Sequence, residues 1–111
     1  MSADNTPDDP GRCSAWKAWI DAMPPGRRLH VKGKCVYPTA GWAITLEKAV
    51  PQGVNPAVLI LNRIAKVPQG PAAQQQTTYE PTYDQKLSEA ENYDTVTIMP
   101  EKVSVHVEVV H

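Results

Sequence analysis

The residues whose types and spacing could do chemistry lie near the middle of the first half of the chain. Arg28, His30, Lys32 and Lys34 recur at every second position, so on an extended strand all four project from one face. Trp19 and Lys17 lie beside them if residues 14–23 fold back as a hairpin. Cations interleaved with an aromatic ring can hold phosphate and stack a base, which marks Arg28, His30, Lys32, Lys34 and Trp19 as a candidate anion-binding or single-stranded nucleic-acid face. The competing reading is a solvated strand whose lysines discourage edge-to-edge pairing. With 11 Lys and Arg against 12 Asp and Glu the formal net charge is −1, so nothing global draws the chain to nucleic acid or anionic lipid. Nucleic acid is therefore the less favoured partner.

The remaining chemical candidates are few. His30, His106, His111 and Cys35 are the possible metal ligands, but alternation puts His30 and Cys35 on opposite faces of one strand, and a structural zinc takes four ligands. No metal or cofactor is expected. Nucleotide-binding glycine loops, the nucleophile elbow, the HExxH zinc motif and the EF-hand loop are all missing from the sequence. Two cysteines without a CxxC spacing do not make a disulfide framework. Charge is segregated along the chain: residues 27–66 carry seven basic groups against Glu47 alone, a net of +6, and residues 67–111 carry a net of −5. Such complementarity serves either pairing of the two halves or head-to-tail self-association.

The elements that must position these residues are short, because 11 prolines punctuate 111 residues. Residues 1–12, rich in Asp and Pro, read as a disordered leader and not as a signal peptide. Residues 13–111 then form one domain. Residues 14–23 fit either a helical stripe or a strand. The strand is preferred because a type II turn over Pro24-Pro25-Gly26-Arg27 pairs residues whose numbers sum to 51. In that register Ala22, Ile20, Ala18 and Trp16 meet Leu29, Val31, Gly33 and Cys35, Asp21 meets His30, and Trp19 meets Lys32. Cys13 then faces Pro38, too far from Cys35 for a disulfide, which predicts two free thiols.

Farther on, Trp42, Ile44 and Leu46 alternate as a strand, either in a meander beside the second strand or crossing to another sheet. The apolar run Ala57–Leu61 suits a strand buried on both faces or a short helix capped by Asn55, and the β-branched Val58, Ile60, Ile64 and Val67 favour the strand; residues 66–76 read as a linker. Residues 77–92 offer a short edge strand around Tyr79 or a capped helical turn from Thr82. The last hairpin is the clearest, with Ile98 opposite Val103 and Val96 opposite Val105. Six or seven short strands without a helix predict an all-β fold, an antiparallel β-sandwich of roughly immunoglobulin size, with an open barrel as the alternative. The function expected is a non-catalytic binding or accessory module acting through protein contacts or self-association. A basic-face anion binder and a small enzyme without a recognisable motif are the alternatives. No membrane span is expected, and the cytoplasm is the expected compartment.

Overall fold

In the computed structural model, residues 10–23, 26–71 and 73–110 are described. Their regular structure is entirely β, as the alternation predicts: β1 (Arg12–Asp21), β2 (Arg28–Tyr37), β3 (Ala43–Lys48), β4 (Val58–Lys66), β5 (Thr77–Tyr79), β6 (Thr82–Lys86), β7 (Thr95–Met99) and β8 (Val103–Val110). The strand order is β3-β4-β7-β8-β1-β2-β5, with β6 also on β2. β3 and β6 approach each other, so the sheet curls nearly into a barrel. The expected antiparallel sandwich is corrected in two respects. The strands number eight, and the sheet is mixed, because β1 with β8 and β4 with β7 run parallel. Period-2 patterning is the same for both pairing senses, so the sequence could not separate them.

β2 is the organising strand. Leu29, Val31, Cys35 and Tyr37 are buried while Arg28, Lys32 and Lys34 are exposed, the alternation of a sheet with one dry and one wet face. Its inner side chains join Ala18, Ile20, Leu46, Leu59, Leu61, Leu87, Val96, Ile98 and Val107 in one core. In β4, which lies between two other strands, Leu59 and Leu61 are fully buried while Val58 and Ile60, like Ala57 before them, are half-buried, so the run is a strand with one dry face and not one buried on both. β3 leaves β2 and pairs with β4, so the crossing and not the meander is what forms. Tyr37 nevertheless meets Trp42, with ring centroids 4.6 Å apart. Residues 82–86 are strand and not a helical turn. β5 and β6 lie in line along one edge of β2, split at Pro81, whose missing N–H confines it to such an edge. The last hairpin has the expected register.

The charged halves of the sequence meet inside the fold. Arg63, on β4, has a side chain only 5% exposed. It donates to Glu101 at 2.9 Å and to the Tyr37 hydroxyl at 2.8 Å, which satisfies a cation that would be costly to bury alone. Arg27 donates to the Ser88 and Glu91 carbonyls and to Asn92. The Arg63–Glu101 ion pair thus uses the sequence-level complementarity to join the two halves of one chain, and Arg27 adds neutral hydrogen bonds between them.

The first hairpin departs from expectation in register. Asp21 pairs with Arg28, Ile20 with Leu29 and Trp19 with His30, so the connection is the six residues 22–27. Pro24 and Pro25 of the expected type II turn lie outside the described residues. Between Ser14 and Lys17 the register slips again: Ala15 and Trp16 oppose Gly33 alone, with Ala15 at φ 56°. This is a β-bulge, and beyond it Cys13 pairs directly with Cys35. The two cysteines form a disulfide, which overturns the expected free thiols. β1 begins at Arg12, and a Cβ on Gly11 would overlap the Tyr37 ring. Residues 1–9 of the expected leader lie outside the described residues.

Candidate functional site

The outer face of β1 and β2 is laid out by their register. Asp21 lies across from Arg28, Trp19 from His30, Lys17 from Lys32 and Ser14 from Lys34. On the far side of β2, Arg28 faces Lys86, His30 faces Asp84 and Lys32 faces Thr82. His30 therefore bonds through Nδ1 to the Asp84 carboxylate at 2.5 Å, and not to Asp21 as expected. Its ring also stacks on Trp19 at 5.3 Å. Lys32 reaches diagonally to Trp19, with Nζ 5.9 Å from the ring centroid, so the expected cation–π contact forms without direct pairing.

These contacts divide the candidate face. Arg28 lies between Asp21 and Lys86 and His30 is held by Asp84, whereas Lys17, Lys32 and Lys34 converge with Ala15, Gly33 and Glu80 around a depression at the bulge. Among the described residues none of these three lysines makes an ion pair. Trp19 is half-buried, engaged by His30 and Lys32 from β2, and also lines the groove on the other flank of β1.

The bulge also shapes the other flank of β1. The parallel ladder with β8 runs from Ala18 opposite Val107 to Asp21 opposite Val110, and it does not continue below Ala18. A groove of about 520 Å³, open to solvent, runs from this parted end along the paired strands, lined by Trp16, Lys17, Ala18 and Trp19 from β1 and by Val105, His106, Glu108 and Val110 from β8. Its volume lies in the range of ligand-binding clefts. The Trp16 indole lies over Gly33, and its Nε1–H is buried without an acceptor among the described residues. Buried donors are usually satisfied, so this one is an exception that calls for a partner.

Backbone direction adds a second set of donors. Val107 donates its N–H to Asp94 at 2.9 Å, toward β7. By alternation the N–H groups of Ser104 and His106 point the opposite way, to the flank where β1 has turned aside. The groove thus combines free backbone edge, aromatic surface, Lys17 and His106 at its parted end, and Glu108 where the ladder closes.

The sequence offers Lys17 only as a neighbour of the basic stripe and His106 only as a possible metal ligand. It did not single out Trp16, Ser104 or Glu108, because nothing in Ser14-Ala15-Trp16-Lys17 announces a bulge. Cys35 is committed to the disulfide, and His111 lies outside the described residues. Among the described residues no three His, Cys, Asp or Glu side chains gather as a metal site, and no helix is long and apolar enough to cross a membrane. No protein-family model, curated protein or solved structure matches the chain.

Proposed function

We propose that the chain is a non-catalytic binding module that works through contact with another protein. The observation that carries this reading is the parting of β1 from β8 below Ala18 and Val107, which leaves a groove beside unpaired strand edge. Exposed edges are where extended segments of other proteins add. A heterologous partner is favoured over self-association, since Arg63 is joined to Glu101 and His30 to Asp84 within one chain. The Cys13–Cys35 disulfide supports an oxidising setting in place of the expected cytoplasm.

A second reading, an anion held by Lys17, Lys32 and Lys34, is favoured by the convergence of these three side chains at the bulge. A single-stranded nucleic acid is the weaker version of it, because the Trp19 ring already carries His30 and Lys32.

Selection of peptides from a displayed random library against the oxidised protein tests the main reading. Enriched peptides should lose binding when the groove is blocked by Val105→Arg. No enrichment, or enriched peptides indifferent to that change, would contradict it.

A further inference from the structure

We infer that the groove between β1 and β8 receives an extended segment of the partner as an added strand, and that this segment alternates apolar with acidic side chains. The inference rests on the binding-module reading above and specifies the chemistry of its partner.

Three observations lead to the same occupant. The first is hydrogen bonding. Ser104 and His106 are exposed residues of β8 whose N–H groups point away from β7, into the gap that β1 leaves below Ala18. An incoming strand supplies carbonyl oxygens to such groups at the spacing of a sheet, which a globular surface or a small ligand does not.

The second is the alternation of what lies beside the gap. On the inner side, Trp16 and Val105 are half-buried and pack against the core. On the outer side stand Lys17 and His106, both exposed, with Lys32 and Lys34 one strand farther over. A strand entering here presents successive side chains to these two sides in turn. One set meets aromatic and aliphatic carbon, and the other meets Lys17 and His106, which form no ion pair among the described residues although Glu80 and Glu108 lie nearby. Apolar residues alternating with Asp or Glu satisfy both.

The third is the Trp16 Nε1–H, a buried donor at the groove without an acceptor. Closed off from solvent in the free chain, it gains an oxygen acceptor from the added strand only as the indole shifts on seating. Glu108 lines the groove between His106 and Val110. Its charge repels an acidic side chain, so the acidic positions of the segment fall toward Lys17 and His106.

The probe is a short blocked peptide of alternating valine and glutamate, titrated into the oxidised full chain and followed by backbone amide NMR and tryptophan emission. Saturable binding is expected, with the Ser104 and His106 amides shifting and becoming protected from exchange. Lys17→Glu should weaken it by about tenfold or more, since it replaces an attractive charge by a repulsive one, and Lys17→Gln by less. The same peptide with lysine for glutamate, or with alternate backbone nitrogens methylated on its hydrogen-bonding side, should not bind.

Equal binding of the methylated peptide would overturn strand addition, and equal binding of the lysine peptide would overturn the acidic partner. Tighter Lys17-dependent binding of oligothymidylate or a heparin fragment would assign the groove to a polyanion instead. Protection of Ser104 in the free chain, rising with its concentration, would assign it to a second copy. If library peptides seat in the groove without acidic positions, this inference fails and the binding-module reading stands. If none seats there, both fail.

Discussion

The two flanks of β1 are made by the same ten residues and come out differently. Toward β2, antiparallel pairing runs the length of the strand, the disulfide joins Cys13 to Cys35, and Trp19 lies against His30. Toward β8, parallel pairing covers only Ala18–Asp21 and then gives way to a groove. The difference arises at Ala15–Trp16, where one additional residue keeps β1 in register with Cys35 while the ladder to β8 ends. A bulge bends its strand and re-aims side chains. Here it leaves Trp16 over Gly33 and Lys17 beside both the lysine cluster and the groove. The lesson is that closure of one edge and opening of the other are one structural event.

Removing the covalent tie is the largest way to break this contrast. The disulfide closes a sequence separation of 22 residues, and in the chain-entropy account such a crosslink contributes about 3 kcal/mol. The Cys13→Ser, Cys35→Ser double variant should therefore unfold at distinctly lower denaturant, and a thiol titration of the unreduced wild-type chain should find none free. One free thiol per cysteine in the native chain would contradict the register below the bulge.

A smaller effect is expected at Gly33. An added Cβ there would overlap the six-membered ring of Trp16, so Gly33→Ala should cost about 1–3 kcal/mol through overpacking and shift Trp16 emission. Gly26→Ala is the control, because its nearest neighbour would be the flexible Lys86 side chain at 3.9 Å, and its melting temperature should stay close to wild type. Equal effects at the two positions would remove Trp16 from its place over the bulge.

The smallest effect concerns the loop after β6, which Arg27 holds to the start of β2. The Glu91 carboxylate accepts from the Ser88 N–H at 2.8 Å, from Gln85 at 3.0 Å and from the Tyr93 hydroxyl at 3.3 Å. The Ser88 backbone bond, above all, holds its pKa below the ordinary 4.5, against partial desolvation. The unfolded chain then binds the proton more readily, so the contribution is present above about pH 4.5 and is lost as pH falls through the depressed folded value. Glu91→Gln should flatten this part of the acid limb in chemical denaturation, and an unchanged limb would assign the loss to other carboxylates.

How far the sequence reached is visible in the same hairpin. The expected register was two residues out, because the connection is six residues and not four, and an even slip leaves every side chain on its own face. Hence the inner set of Leu29, Val31, Cys35 and Tyr37 and the outer basic stripe were legible. The bulge adds one residue more, and the sum of the two displacements is the offset that separated Cys13 from Cys35 on paper. Whether β3 lies beside β2 or crosses to β4 was not legible, since alternation does not name the neighbour. The candidate face was read as four side chains of one strand. Its partition, with His30 held by Asp84 and Lys17 drawn in, depends on the strands to either side.

The open flank is tested most directly by amide hydrogen exchange along β8 in the oxidised chain without ligand. Val105 and Val107, directed to β7, and Glu108, within the ladder to β1, should exchange slowly, while Ser104 should exchange at the rate of an unbonded amide. Protection of Ser104 equal to that of Glu108 in the monomeric chain would mean that β1 and β8 are zipped along their whole length, and the groove on which the proposed function rests would not exist.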